Sequence, residues 1–504
     1  MQRTHSFGSV LGMTQLSTPI NPQITQRTGN ATPVTCGLYI AKICTGAGLL
    51  GLPRVYYDSG VISASIMTII LVLLNIVSCR ILIRCRDIML VGKYHQHNHT
   101  AATVHYDMDY SNDTYNQLAE YTLGTIGLRI VDISIIICLL GVVALYIITY
   151  CELMYEVINT INKLYYIVCA LIFLLPFSLI RELNFLSFVS ALSTISYVIA
   201  FICIFTYGYL YGHQESIQSI EFTKFGSSES LGRSFGMLTF SLGIPVMSLT
   251  LEEELQQPTK FHSILNRSMF VVCVSYITIG CIGCILFDHV HEIIISNLSN
   301  DSIITGAVKL MVAVTLLLSC PLSLSPALNL IEHLCCHRFT NTDIHPQNHS
   351  VRSNTYGAIN NDTASKDHNT YHTVFTLPNL ARIVVLLIVT AIAFTIPCFQ
   401  LLMSVLGCIT FSLLCFILPS IMYIQLHRFG DDLLHSEYVH SHSDDSIDHD
   451  TNKPFELTSN QLQLSTTSDW SIHTHAVLNY MFIIIGVVVS AVATYEVISN
   501  AKCV

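Results

Sequence analysis

A single lysine stands in the first long apolar run of the sequence, close to residues that break a helix. Lys42 is followed in the same run by Gly46, Gly48 and Pro53. Glycine and proline weaken helical hydrogen bonding, and backbone groups freed at membrane depth are tolerated only where they are buried in protein or line a watery cavity. An ionisable side chain inside an apolar run is costly and marks a functional site by default. The run therefore predicts a broken helix that borders a site.

A later apolar run is interrupted in the same way. It contains Gly236, Gly243 and Pro245, and the glutamates at 252–254 follow it. A half-helix that begins after a break offers unpaired N–H groups, which suit a carboxylate, and one that ends there offers carbonyl groups, which suit a cation or an ammonium group. Together the breaks predict a site for an amphoteric ligand such as an amino acid. The alternative is that each glycine and proline group only kinks a packed helix.

The composition places these runs in a membrane protein. Of the 504 residues 52% are hydrophobic and 11% are charged, which excludes an ordinary soluble globule. No alternating ten-residue barrel strands occur, so an all-α bundle is expected. Eleven apolar runs predict eleven transmembrane helices: 36–57, 62–83, 130–155, 164–180, 185–210, 231–251, 269–287, 303–331, 383–397, 399–426 and 476–498.

Basic residues and polar segments predict the orientation and the domains. Most of the 23 lysines and arginines face the cytoplasm when the N-terminus is placed there. The predicted parts are a disordered cytoplasmic arm (1–35), a ten-span core (36–426) with polar loops at 93–117 and 335–375, a disordered cytoplasmic loop (427–475), and an eleventh span with a short non-cytoplasmic tail (476–504).

The two broken runs are the first and the sixth, five spans apart, which is the pattern of an inverted-repeat transporter. Further motifs follow in order: Leu118-Ala119-Glu120-Tyr121, the segment Pro176 to Leu183, and Gly407 through Pro419 with Tyr423. With the first-span pattern Gly46 to Pro53 and Gly60, the chain resembles the amino acid/auxin permease family over about 35–426. It is more similar to the proton-coupled and vacuolar members.

The resemblance implies a leucine-transporter-like architecture, in which five spans are repeated in inverted topology and one extra C-terminal helix follows. It also implies that the substrate lies between the first and sixth spans. The carried-over substrate-binding residues are Thr45, Gly46, Ala47 and Gly48 in the first span, and Phe240, Ser241, Gly243 and Ile244 in the sixth.

Lys42 corresponds to a position where the resemblance implies an ion site. Sodium-dependent members carry an amide there and proton-coupled or vacuolar members a lysine, so the ammonium is expected to face the hydroxyls of Thr315 and Ser319. An apolar surrounding favours the neutral amine and permits proton exchange. Animal proton-coupled members carry a histidine where Tyr39 stands, so H⁺ and Na⁺ both remain open. The alternative for Lys42 is a structural ion pair or a snorkelling head group.

These observations predict a secondary active transporter of amino acids, most simply neutral ones, that works by alternating access in a plasma, vacuolar or lysosomal membrane. A proton gradient is the favoured energy source, with a sodium gradient as the alternative, and no cofactor or metal is expected. An amino acid sensor with little flux, or a metal or polyamine carrier that uses the histidine-rich loops, are the alternatives. The sequence contains no phosphate-binding loop, catalytic triad or nucleic-acid patch, so neither an enzyme nor a nucleic-acid partner is expected.

Overall fold

The structure is a computed structural model that describes most of the apolar chain. The described residues are 29–99, 115–158, 162–179, 186–211, 225–287, 289–299, 302–339, 377–396, 398–426, 479–480 and 482–499. The loop predicted at 427–475 and most of the arm predicted at 1–35 lie outside them. The predicted polar loop at 93–117 is described only at its two ends, which are helical.

The described chain is a bundle of helices. In order these are α1 Pro33–Cys44, α2 Ala47–Ser59, α3 Val61–His99, α4 Tyr115–Val157, α5 Lys163–Leu179, α6 Leu186–Tyr211, α7 Ser228–Ser241, α8 Ser248–Glu253, α9 Phe261–Leu286, α10 Ile303–Phe339, α11 Leu377–Thr395, α12 Phe399–Leu406 and α13 Ser490–Ser499. A 3₁₀ turn, Ile244–Met247, precedes α8, and π-helical segments at Gly407–Phe411, Leu413–Ile417 and Ile485–Val489 extend α12 and precede α13.

Six described helical segments are long and apolar enough to cross a membrane, and the bent pair formed by α1 and α2, with an angle of 56°, makes a seventh if it is one span. Four shorter apolar helices lie at Lys163–Leu179, Ile195–Tyr211, Asn379–Thr395 and Phe482–Tyr495. The predicted class of an all-helical membrane protein is confirmed.

The start of α4 is set off from its membrane-spanning part by a glycine. Gly124 has φ of 69°, a left-handed conformation that glycine adopts without steric cost. The residues from Tyr115 to Leu123 therefore form a separate short helix before the predicted third span. The motif Leu118 to Tyr121 lies in this short helix.

Helix α7 and the extension of α12 make a close backbone contact. A Cβ atom at Gly407 would lie 1.8 Å from the carbonyl oxygen of Gly236, and one at Gly236 would lie 2.3 Å from that of Ser404. Only glycine at both positions allows this approach. The contact joins the helix before the second break to the part of α12 that is wound as a π-helix, a geometry frequent at functional sites.

Two buried basic side chains of the apolar helices form ion pairs with glutamates of neighbouring helices. Lys309 is 1% exposed and its Nζ lies 2.8 Å from Glu156 Oε2, which ties α10 to α4. Arg382 of α11 is 3% exposed at its side chain and contacts Glu332 of α10 at 2.8 Å. Pairing of this kind is the condition under which buried charges are tolerated.

One of the described cysteines is not a free thiol. Cys398, immediately before α12, is disulfide-bonded, whereas the other cysteines whose state is described are free thiols. Most of these free thiols are buried in the bundle, where they pack as apolar side chains.

Candidate functional site

The first predicted break lies between α1 and α2. Helix α1 ends at Cys44, and Thr45 closes the last turn because its Oγ1 donates to the carbonyl of Lys42 at 3.1 Å. Gly46 is extended, with φ of −81° and ψ of −155°, and α2 begins at Ala47. The interruption at Thr45 and Gly46 therefore places the carbonyl groups that end α1 next to the N–H groups that begin α2.

The second predicted break lies between α7 and α8. Helix α7 ends at Ser241, and the chain passes through Gly243 into a 3₁₀ turn before α8 begins at Ser248. A Cβ atom at Gly243 would lie 2.1 Å from the ring of Phe411, so this turn is packed directly against the α12 extension. The ring of Phe240 lies 5.0 Å from the same phenylalanine, in an edge-to-face arrangement that aromatic pairs favour.

The two breaks meet in space. A Cβ atom at Gly48 would lie 2.0 Å from Ser241 Oγ and 2.7 Å from Ser241 Cβ. The Ser241 hydroxyl is itself held in place because it donates to the carbonyl of Met237 at 2.7 Å. The start of α2 therefore approaches the end of α7 as closely as glycine permits.

A cavity of about 80 Å³, lined in part by hydroxyl groups, opens beside the first break. This volume is several times the space that one water molecule requires. The cavity is bounded by the end of α1, α4, α6 and α10, and its lining residues are Lys42, Thr45, Gly46, Tyr146, Ser193, Tyr197, Ser319, Leu322 and Ser323.

Four of the predicted site residues line this cavity, namely Lys42, Thr45, Gly46 and Ser319. Thr315 lies one turn away in α10, where its hydroxyl donates to the carbonyl of Met311 at 2.6 Å and lies 3.1 Å from Ser196 Oγ. The remaining predicted residues whose side chains are described are buried: Gly48, Phe240, Ser241, Gly243 and Ile244. The side chain of Ala47 is outside the described set.

Lys42 is the positively charged residue in the lining of the cavity. It is half-buried, and no carboxylate of the described residues lies within ion-pairing distance of its ammonium group. The predicted alternative of a structural ion pair for Lys42 therefore finds no partner in the described chain. The hydroxyls of Ser319 and Thr45 share the same cavity.

Five lining residues were not predicted from the sequence: Tyr146, Ser193, Tyr197, Leu322 and Ser323. A Cβ atom at Gly46 would be 4.0 Å from Tyr146 Oη, so this hydroxyl faces the first break directly. Tyrosines inside otherwise apolar helices were the available signal, because a buried phenol needs a hydrogen-bond partner.

A hydrogen-bonded network joins α2, the segment after α9 and the start of α12. Arg54 contacts Asp58 at 2.9 Å and donates to the carbonyl of Val290 at 2.6 Å. The amide of Gln400 donates to Asp58 at 2.8 Å, and its backbone N–H donates to Glu292 at 3.2 Å. Burial raises the pKa of Glu292, against the opposing effect of that N–H. The network holds α2, the second half of the first broken span, against α12. It lies on the side of the membrane predicted to be non-cytoplasmic.

A buried ion pair lies on the opposite side of the bundle. Arg86 of α3 is 1% exposed at its side chain and its Nη1 lies 2.6 Å from Glu252 Oε2, just past the second break. The backbone of Ala31 forms a parallel bridge with Leu255 and donates to the carbonyl of Glu254 at 2.8 Å. The segment that enters α1 is thereby tied to the segment that leaves α8.

These features define a class of protein: a helical membrane protein in which two broken helices meet beside a cavity that contains a lysine and several hydroxyl groups. The chain matches the family described as transmembrane amino acid transporter protein over residues 29–429, and it belongs to that family. The predicted family is thus confirmed, and with it the expectation of a membrane transporter in place of an enzyme.

Relatives of this chain share low identity with it. The vesicular inhibitory amino acid transporter of Xenopus laevis is 24% identical over 418 residues, which cover 82% of this chain and 72% of the relative. For the mouse protein of the same description the identity is 24% over 305 residues, 60% of this chain and 54% of the relative. Vacuolar amino acid transporter 3 of Saccharomyces cerevisiae is 25% identical over 177 residues, 35% of this chain and 25% of the relative.

Proposed function

We propose that this protein is a secondary active transporter that moves neutral amino acids across a membrane by alternating access, driven by protons. The observation that carries the proposal is the meeting of the two helix breaks, Gly48 against Ser241, beside a cavity that contains Lys42. Helix ends of opposite polarity at one place match the carboxylate and ammonium groups of an amino acid. The relatives named as vesicular and vacuolar transporters favour an intracellular storage membrane.

The lining of the cavity supports a neutral substrate. Its polar groups are hydroxyls and the single amine of Lys42, and the described lining contains no carboxylate. A cationic substrate side chain would meet a like charge without a counter-ion, which is costly in a low-dielectric site. Hydroxyls and tyrosine rings instead suit small uncharged side chains.

The architecture that goes with this function is a ten-span core of two inverted repeats and an eleventh span. This proposal counts the four shorter apolar helices as the spans beyond the six, or seven with the bent pair, that are identified by length and composition. Breaks in the first and sixth of these spans occupy corresponding positions of the two halves, as an inverted repeat requires.

The eleven-span arrangement predicts that its last loop and its tail face opposite sides. In sealed organelles, whose cytoplasmic face is outward, we expect added protease to cleave a tag inserted within 428–473 and to leave a tag after Ile498 intact. Detergent permeabilisation serves as the control, since it should expose both tags. Both tags on one side would contradict the odd number of spans and the repeat built on it.

Uptake by purified protein in liposomes tests the function directly. We expect a panel of radiolabelled glycine, alanine, glutamine, glutamate and arginine to show uptake of the neutral members when a pH gradient is imposed, and not when only a sodium gradient is imposed. Saturable binding without flux would instead assign the protein as a sensor. The metal or polyamine alternative relies on histidines that lie mostly outside the described residues.

A further inference from the structure

Helix α9 runs unbroken beside both halves of the broken first span. A Cβ atom at Gly37 of α1 would lie 3.1 Å from Ser268 Oγ, and one at Gly280 would lie 2.4 Å from the ring of Tyr56 in α2. One continuous helix therefore contacts α1 on one side of the break and α2 on the other. A continuous helix in this place braces two segments that have no hydrogen-bonded continuity of their own.

Tyr276 lies on α9 at the level of the break, where α1 and α7 both end. Its hydroxyl donates to the carbonyl of Cys44 at 2.7 Å and lies 3.2 Å from the carbonyl of Ser241. Cys44 is the last residue of α1 and Ser241 the last residue of α7. Carbonyl groups in the last turn of a helix have no partner within that helix, so one phenol serves a carbonyl from each broken span.

The burial of this junction makes the tyrosine hard to replace. Tyr276 and Cys44 are each 1% exposed, and Ser241 is 6% exposed. Two carbonyl oxygens that point at one place repel each other, and a hydroxyl proton between them offsets that repulsion. Without the hydroxyl, both oxygens lose a donor in a region that water scarcely reaches.

We infer that Tyr276 is a positioning residue: its hydroxyl joins the ends of the two broken helices, and so holds the substrate-binding backbone in one geometry. The inference rests on the proposed amino acid transport and adds to it a residue outside both breaks. The remaining carbonyl groups at the two helix ends are those proposed to receive the substrate ammonium. Because these carbonyl groups are already held in place, binding of the ammonium group does not carry the entropic cost of ordering two separate chain segments.

The Tyr276→Phe variant tests this role, because it keeps the ring and removes only the hydroxyl. We expect its KM for the neutral amino acid that the unmodified protein takes up fastest to rise about tenfold, the effect of losing one well-placed polar interaction. Tyr166→Phe is the matched control. Tyr166 is also buried, and its hydroxyl donates to a carbonyl, that of Ile158, at the same 2.7 Å, but in α5 away from both breaks.

A melting measurement on the purified proteins separates positioning from simple stability. Interhelical hydrogen bonds in membranes contribute little to global stability on average, so the substrate-free melting temperatures of both variants should stay close to that of the unmodified protein. The stabilisation produced by the same amino acid should shrink for Tyr276→Phe only.

Two results would overturn the inference while leaving the transport proposal intact. One is an unchanged KM in Tyr276→Phe, and the other is a loss of uptake fully matched by loss of folded protein, with the KM of the remainder unchanged. If the unmodified protein neither transports nor binds any amino acid of the panel, the proposed function fails first and the role of Tyr276 fails with it.

Discussion

We expect the Gly48→Val protein to reach the membrane and to lose nearly all amino acid uptake. A Cβ atom at this position would already lie 2.0 Å from Ser241 Oγ and 3.1 Å from Ser241 Cα, and valine adds two methyl groups. Overpacking of this kind costs about 1–3 kcal/mol, which corresponds to about a 5- to 150-fold loss of affinity if the strain falls on the site. Uptake normalised to protein in the membrane is the measurement.

Two companion variants make the Gly48 result specific. Gly306→Val is the matched control, because a Cβ atom there meets nothing within 4 Å. The double variant Gly48→Ala with Ser241→Gly removes the two closest contacts, so it should recover part of the uptake that Gly48→Ala alone loses. Full uptake with an unchanged KM in Gly48→Val would exclude the junction of the two breaks as the binding site.

Gly46 behaves differently from Gly48 although both belong to the same motif. The nearest atom to a Cβ at Gly46 is 3.9 Å away, and the substituent would project into the cavity near Tyr146. The backbone at Gly46 thus faces open space, whereas Gly48 is closed by Ser241. The close approach of helices explains glycine at position 48, and room for a ligand explains it at position 46.

The second large effect concerns Lys42, which we expect to make accumulation depend on the pH gradient. The amine lies half-buried in the cavity without a carboxylate partner in the described chain, so its charged and neutral forms respond to small changes of geometry. Opening of the site toward an acidic side would protonate it, and opening toward the cytoplasm would release the proton. Lys42→Met should then still exchange substrate across the membrane but no longer accumulate it against a gradient.

A second substitution separates loss of charge from loss of titration. Lys42→Arg keeps a positive charge that is not released at any physiological pH, so it should also fail to accumulate substrate under a pH gradient. Lys260→Met is the control, because Lys260 is exposed in a turn before α9. Counterflow exchange and gradient-driven accumulation are measured on the same vesicles. Steep dependence on sodium in the unmodified protein, with no response to pH, would return Lys42 to a structural role.

The positions of the two breaks were already present in the amino-acid sequence. Glycine at 46 and 243 and proline at 245 act on their own backbone and on the turn next to them, and α1 ends and α7 ends within a few residues of these positions. Long apolar runs likewise determined that the chain is a helical membrane protein, because the thickness of the bilayer sets the length of a span. These properties depend on neighbours along the chain.

Which side chains meet at the breaks was decided only by tertiary packing. Ser319 lines the same cavity as Lys42, while Thr315, one turn earlier in the same helix, bonds within α10 and lies against Ser196. Tyr146 and Tyr276 enter the site from α4 and α9, far from either motif in sequence. Each residue turns a helix by about 100°, so the face that a distant side chain presents depends on how whole helices rotate and pack against one another. Local sequence does not contain that information.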